Sequence, residues 1–133
     1  MEERFIFVIE TDKYAGNFER QMCGYLTGKF GECGVGEEEA REFLEDRGLR
    51  AEDSPFDDFV ESVPDEDGGC RRPCSTWGRD NKSVAIFFYE RPTDELISIM
   101  RERAKMFGER ENLKIKDFKL LKKQTTYTEI GIE

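Results

Sequence analysis

The chain of 133 residues contains no histidine. Mechanisms that need an imidazole base, including Ser-His and Cys-His pairs, are therefore excluded. Long apolar runs are missing as well: the first, residues 5–9, covers only five positions. Such a run is too short for the apolar core of a signal peptide and far too short to cross a bilayer. We therefore expect a cytoplasmic protein that makes no contact with a membrane.

The composition indicates a folded core under an unusually polar surface. Aromatic residues make up 12% of the chain and include 11 phenylalanines, a level that disordered chains do not reach. Charged residues make up 38%, against roughly 25% in ordinary domains. A chain of this length is large enough to bury a core of its own. We expect a single domain spanning residues 1–133.

The negative charge is concentrated in one part of the chain. Residues 32–67, called the acidic segment below, carry 15 acidic and 3 basic side chains, a net charge of −12. The whole chain has a net charge of −9, so the remainder sums to +3. Excess negative charge opposes binding to nucleic acid and to anionic lipid, and it favours a basic protein partner.

Apolar patterning predicts alternating helices and strands. Strands are expected where apolar residues run together or alternate, at 5–10, 83–90, 113–121 and 126–132, with a weaker edge strand at 58–63. Three helices are expected: one capped by Asn17 and running to about Thr27, one at 37–47, and one capped by Thr93 and running to Phe107, where Gly108 would end it. A loop should run through Cys74 and Trp77 to about Asn81.

The order of these elements predicts an α+β fold, a ferredoxin-like βαββαβ sandwich. The acidic helix would belong to an insertion at about 32–67, and the last strand would be an extra one at the C-terminus. In the strand at 113–121 the alternation slips near Lys116 and Asp117, which predicts a β-bulge.

Two interpretations of the acidic segment remain open. It is either a solvated surface that keeps the protein soluble, or a binding surface that imitates nucleic-acid phosphates. Duplex DNA presents one charge per ~1.7 Å, and carboxylates on successive helical turns approach that density. Our working hypothesis is the second. The partner-binding residues would then be Glu38, Glu42, Glu45, Asp46, Glu52, Asp53, Asp57, Asp58 and Glu61.

The cysteines are Cys23, Cys33, Cys70 and Cys74. Four thiolates suffice for a tetrahedral zinc site, but only the last two have a spacing typical of zinc knuckles. Reduced structural thiols are the competing interpretation, because disulfides are rare in cytosolic proteins. No other cofactor is predicted. A hard-cation site in the acidic segment is a weaker alternative. The calcium-loop pattern requires an aspartate at its first position, and here that position would be Val63.

A further group of alternatives begins with an enzyme. Pro64-Asp65 followed by Asp80-Asn81-Lys82 spells the pattern of metal-dependent nucleases, in which carboxylates hold Mg²⁺ and a lysine positions the attacking water. The pattern is short, and here Asp80 and Lys82 precede the predicted strand. A nucleotide-handling enzyme and a zinc-stabilised adaptor belong to the same group of alternatives.

Residues 101–123 carry a net charge of +5 and can pair with the acidic helix of a second copy, which leaves a homo-oligomer open.

The stretches Ile9-Glu10-Thr11-Asp12-Lys13-Tyr14-Ala15-Gly16-Asn17-Phe18-Glu19 and Gly31-Glu32-Cys33-Gly34-Val35-Gly36 resemble uncharacterised small proteins encoded by bacteriophages. In type, a short and acidic chain without a catalytic signature, the protein resembles phage anti-defence proteins such as anti-CRISPR inhibitors. The resemblance implies a stoichiometric inhibitor of a host nuclease or of its nucleic-acid channel, with no enzymatic activity and no assigned residues.

Overall fold

The computed structural model describes residues 4–27, 74–123 and 127–132, together with Glu42 and Glu45. Within these ranges the chain forms two long helices and five strands. The strands are Arg4–Thr11 (β1), Cys74–Trp77 (β2), Ser83–Phe88 (β3), Ile115–Lys123 (β4) and Tyr127–Ile130 (β5), and the helices are Glu19–Thr27 (α1) and Asp94–Glu111 (α2).

The strands form one antiparallel sheet in the order β2-β3-β1-β4-β5. The first strand in the sequence is thus the middle strand of the sheet, where Phe5 lies opposite Phe88 on one side and Lys122 on the other. The predicted α+β class is confirmed. The sheet has five strands, so β5 takes it beyond the four strands of a ferredoxin-like sandwich.

The main core lies between the helices and one face of the sheet. Phe7 and Ile9 of β1 are fully buried there, as are Met22 and Leu26 of α1. Their spacing explains the elements: alternate residues of a strand share a face, and residues four apart share a helical stripe. Each buried side chain of this size contributes about 1.5–3 kcal/mol of transfer free energy.

The two helices also contact each other directly. The rings of Tyr25 on α1 and Phe107 on α2 lie with their centroids 4.8 Å apart. Arg103 of α2 is buried, and its Nη1 donates a hydrogen bond of 3.1 Å to the carbonyl oxygen of Leu26 near the end of α1. A cation is favourable at a helix C-terminus. Burial lowers the pKa of the Arg103 guanidinium, which nevertheless stays charged at neutral pH.

The opposite face of the sheet carries a second, smaller apolar cluster. Ile6, Val8 and Ala85 are at most 3% exposed, which is typical of a face that is covered rather than solvated. Trp77, Phe87 and Leu121 pack around them. The sheet is therefore apolar on both faces, as the continuous apolar run of β1 indicates.

The ends of α2 confirm one expectation and correct another. The backbone amide of Leu96 donates to Oγ1 of Thr93, which is the predicted N-cap. Gly108, in contrast, does not end the helix, which continues to Glu111 and closes with Asn112 at φ 53°. The glycine instead allows the backbone of Leu113 to pass close to the helix, since a Cβ at position 108 would lie 2.7 Å from the carbonyl oxygen of Leu113. Asn112 is one of the few residue types that tolerate the left-handed region.

The start of α1 differs from the expectation as well. A single 3-10 turn at Ala15–Asn17 precedes it, and α1 begins at Glu19. Asn17 is therefore part of the turn and not the N-cap. The backbone amide of Ala15 donates to the carbonyl oxygen of Asn81, so this turn is held by the β2–β3 connection, a contact that local sequence does not reveal.

The loop predicted through Cys74 and Trp77 is wrong, because these residues form β2. Cys74 pairs with Ile86 and Trp77 with Ser83 across the β2–β3 hairpin. A strand of four residues at the edge of a sheet is specified mainly by its neighbour, which explains why local patterning missed it.

The predicted bulge in β4 is confirmed. Glu10 pairs with Asp117 and the next residue, Thr11, pairs with Ile115, so Lys116 is the extra residue. The predicted strand at 58–63 and the predicted helix at 37–47, apart from Glu42 and Glu45, lie outside the described residues. Among the residues described, no helix combines the length and the apolar character required to cross a membrane.

Candidate functional site

The acidic segment falls within the connection between α1 and β2. Two of its predicted partner-binding residues are described: Glu42 and Glu45 have helical backbone and exposed side chains. The others lie outside the described residues: Glu38, Asp46, Glu52, Asp53, Asp57, Asp58 and Glu61.

A disulfide joins the two elements that flank this connection. Cys23 on α1 and Cys74 at the start of β2 are bonded through their sulfurs, with their Cα atoms 6.2 Å apart. That separation lies within the usual range for a disulfide. Both residues are 1% exposed. The bond encloses the whole acidic segment in a covalent loop, since the two cysteines are 51 residues apart.

This pairing corrects the expectation of reduced thiols. The packing of α1 against β2 brings together two cysteines that the spacing alone does not relate. Bonded sulfurs provide no thiolates to a metal, so the predicted zinc set of Cys23, Cys33, Cys70 and Cys74 would require reduction of this bond. Cys33 and Cys70 lie outside the described residues, and the zinc site stays a prediction.

The nuclease pattern is only partly described, and its described half lies in a turn. Oδ1 of Asp80 accepts a hydrogen bond of 3.1 Å from the backbone amide of Lys82, in the β2–β3 connection that also contains Asn81 at φ 53°. This position before β3 agrees with the sequence-based expectation. Asp65 lies outside the described residues. In the described part of the chain, no group of three or more metal-ligating side chains occurs.

A cavity of about 290 Å³ opens on the second face of the sheet. Val8 and Leu121 contribute its apolar surface, and Trp77 adds an aromatic one. The Trp77 ring is fixed in turn by an edge contact with Phe87, with ring centroids 6.3 Å apart. The remaining lining residues are Glu10, Gly78, Asp80, Ser83, Lys119 and Glu129. Strand pairing explains this set, because neighbouring strands place side chains of the same face side by side.

The described residues that line this cavity carry a net negative charge. Nζ of Lys119 lies 2.9 Å from Oε1 of Glu10 and 3.9 Å from Oε1 of Glu129. The hydrogen bond that Nζ of Lys119 donates to Glu10 raises the pKa of Lys119. Asp80 adds a third carboxylate, so the described residues of the lining carry three negative charges and one positive charge. Glu129 is more exposed than Glu10 or Lys119, with 59% of its side chain accessible against 34% and 41%.

Sequence reasoning missed this cavity. Glu10 and Glu129 are separated by most of the chain, and only the register β1-β4-β5 brings them together. One signal was present in the sequence: Lys119 and Leu121 alternate in phase with Val8 and Glu10. That phase becomes informative only after the pairing of the strands is known.

A larger cavity of about 560 Å³ lies beside the C-terminal end of α2. Several of its polar groups already bond to one another. Nζ of Lys13 donates to the carbonyl oxygen of Asn112, and Oδ1 of Asp12 accepts from the backbone amide of Lys114. These contacts join the loop after β1 to the end of α2, which is a structural role.

Comparisons of the chain with protein-family models, with curated proteins and with solved structures give no match.

Proposed function

We propose that this protein is a non-enzymatic acidic binding protein that uses the acidic segment against a basic partner. In this proposal it is a phage-encoded inhibitor in the cytoplasm of the host cell, where the buried Cys23–Cys74 disulfide would be an exception to the usual rarity of cytosolic disulfides. Its target is a nucleic-acid-binding defence protein, either a CRISPR effector or another nuclease. The observation that carries the proposal is the division of charge, −12 in residues 32–67 and +3 in the rest of the chain.

Charge of this density suits a partner that normally binds phosphates. Glu42 and Glu45 support the proposal because both are helical and exposed. A basic channel that is not occupied by DNA or RNA attracts small anions from solution. A carboxylate surface that binds in the channel would release these counterions, and their release would drive association. The surface would also speed the encounter, since opposite fields steer diffusion. Solubility alone, the competing explanation, does not require charge to be collected in one segment.

The finer fold assignment belongs to the same proposal. We infer that β1, α1, β2, β3, α2 and β4 form a ferredoxin-like unit, to which β5 is added. The observation in favour is the sheet order β2-β3-β1-β4, all antiparallel, with both helices packed into one core. The acidic segment then occupies the first crossover connection of that unit.

Charge reversal provides the test of the binding function. The variant Glu38→Lys/Glu42→Lys/Glu45→Lys should lose capture of the partner from bacterial lysates, as identified by affinity purification and mass spectrometry. The matched control is Glu90→Lys/Glu109→Lys/Glu111→Lys, which makes the same change in net charge at exposed positions outside the segment. The control should retain capture. Equal capture by both variants would refute the proposal.

A second measurement concerns the mechanism. The affinity for the captured partner should fall steeply as salt is raised, because screening weakens an interaction made of exposed charges. Nucleic acid should compete with the protein for the partner. A salt-independent affinity, or simultaneous binding of nucleic acid, would contradict phosphate mimicry. Two results would separate this function from the nuclease alternative. The purified protein should show no metal-dependent nuclease activity, and the Asp80→Ala/Lys82→Ala variant should still bind the captured partner.

A further inference from the structure

We propose that the Cys23–Cys74 disulfide is a redox-sensitive switch, in which the buried carboxylate of Glu19 favours the reduced form. Glu19 and Cys23 lie one helical turn apart on α1 and therefore share one stripe of the helix. Sγ of Cys74, which is bonded to Cys23, lies 3.5 Å from Oε2 of Glu19. All three residues are at most 3% exposed. None of them belongs to the acidic segment, so the inference does not depend on the function proposed for that segment.

In the disulfide form the carboxylate gains nothing from its contact with Cys74. A bonded sulfur carries no hydrogen, so Sγ of Cys74 cannot donate a hydrogen bond to Glu19. A carboxylate that is removed from water is costly unless its oxygens accept hydrogen bonds. Glu19 has a further interaction in the structure, and a carboxylate with about four lone-pair sites can accept a second one as well. The contact with a bonded sulfur therefore weighs against the oxidised state.

Reduction turns the same sulfur into a hydrogen-bond donor. The S–H group of Cys74 can then donate to Oε2 of Glu19 across the distance already present, which suits a bond that involves the larger sulfur atom. A thiol is a weak donor, but an ionised acceptor makes a hydrogen bond roughly twice as strong as a neutral one. The two redox states thus differ in their interaction with Glu19. Such a difference is what a switch requires.

The reductant in this proposal is a dithiol. Its thiolate attacks one sulfur of the protein, the bond between Cys23 and Cys74 breaks, and a mixed disulfide forms. The second thiol of the reductant then displaces the attacked cysteine. The dithiol is oxidised to a disulfide, and its two electrons and two hydrogens end on Cys23 and Cys74. Because both cysteines are buried, the attack requires a local opening between α1 and β2.

Reduction also frees one edge of the sheet. β2 has four residues, and among the described strands it pairs only with β3. The disulfide fixes the first residue of this edge strand to α1. Without the bond, β2 keeps only its packing and its hydrogen bonds to β3, so it should open more readily than the central strand β1. The covalent loop that contains the acidic segment opens at the same time.

The redox equilibrium of the folded protein tests the role of Glu19. In the background Cys33→Ser/Cys70→Ser only one pair of cysteines can exchange. The protein is equilibrated at pH 7 with mixtures of reduced and oxidised dithiothreitol, and the reduced fraction is measured by mass spectrometry after acid quenching and alkylation. Glu19→Gln should shift the exchange constant toward the disulfide by roughly 3- to 10-fold, the range of one hydrogen bond. Glu109→Gln makes the same change in charge at an exposed position on α2 and should leave the constant unchanged.

This constant distinguishes a redox role of Glu19 from a purely structural one. A loss of stability that affects both redox forms equally cancels in the exchange constant, whereas a hydrogen bond made only by the thiol does not. An exchange constant that Glu19→Gln leaves unchanged, or shifts toward the reduced form, would overturn the proposal.

A pair of variants tests the donor without redox chemistry. In the background Cys23→Ala/Cys33→Ser/Cys70→Ser, a serine at position 74 supplies an O–H group in place of the thiol, and an alanine supplies none. Cys74→Ser should unfold at a higher urea concentration than Cys74→Ala, and Glu19→Gln should reduce this difference. A buried hydroxyl without an acceptor is destabilising, so the opposite order would contradict the proposed hydrogen bond.

Hydrogen exchange at low urea concentrations tests the opening of the edge. After reduction, the hydrogen-bonded amides of β2 should exchange through a local opening that exposes little surface and therefore depends weakly on urea. The amides of β1 should keep a steep dependence, because they exchange through global unfolding. An equally steep dependence in β2 and β1 of the reduced protein would show that the edge is not freed and would overturn the switch.

Discussion

Removal of the Cys23–Cys74 disulfide should cost the protein a large share of its stability. In the loop-closure treatment, a cross-link stabilises a fold by restricting the unfolded chain, and the effect grows slowly with loop length. The 51-residue separation gives about 4 kcal/mol, between the values of about 3 and about 4.7 kcal/mol for loops of 15 and 100 residues. The free energy of unfolding of ordinary domains is only about 5–15 kcal/mol.

The assay is urea denaturation of three samples: the oxidised protein, the reduced protein, and the variant Cys23→Ala/Cys74→Ala. We expect both samples without the bond to unfold with a free energy lower by about 4 kcal/mol, which corresponds to roughly 10–20 °C in the melting temperature. The denaturant slope should also rise, because an unfolded chain without the cross-link exposes more surface.

A variant that keeps only Cys23 and Cys74 tests the formation of this bond directly. In Cys33→Ser/Cys70→Ser, a thiol titration of the denatured, unreduced protein should find no free thiol, and after reduction it should find two per chain. Two free thiols before reduction would show that the bond does not form. Equal midpoints for the oxidised and reduced protein would refute the loop-closure reasoning even if the bond is present.

Two further predictions concern the ends of α2, both measured by urea denaturation of the oxidised protein. Thr93→Ala removes the N-cap and should lower the free energy of unfolding by about 1 kcal/mol, whereas Thr93→Ser should keep it within a few tenths; equal losses in the two variants would contradict the cap. Gly108→Ala places a Cβ 2.7 Å from the carbonyl oxygen of Leu113 and should cost about 1–3 kcal/mol, despite the better helix propensity of alanine. Gly131→Ala is the control, because a Cβ there meets no atom within 4 Å, and a neutral Gly108→Ala would show that the helix end can shift freely.

Local patterns were sufficient for the elements that carry their own signal. β1 and β3 are continuous apolar runs, and α2 has both a capping threonine and a regular apolar stripe. The bulge at Lys116 was visible as a break in alternation, since one extra residue moves every later side chain to the opposite face.

The features that were missed depend on contacts between distant parts of the chain. β2 is short and gains its conformation from β3, so its own residues carry little information. The disulfide follows from the packing of α1 on β2, and cysteine spacing does not determine connectivity. The cavity on the second face of the sheet needs the register of β1, β4 and β5 at once.

The position of β1 in the sheet sets the order in which the protein can assemble during synthesis. Phe5 pairs with Phe88, 83 residues later, and Arg4 pairs with Lys123, 119 residues later. At the usual rates of translation, the apolar strand made first stays without its neighbours for roughly 5–20 s. During that interval Phe5 to Ile9 can bind chaperones or other unfinished chains. The yield of folded protein should therefore depend on translation speed and on chaperone supply.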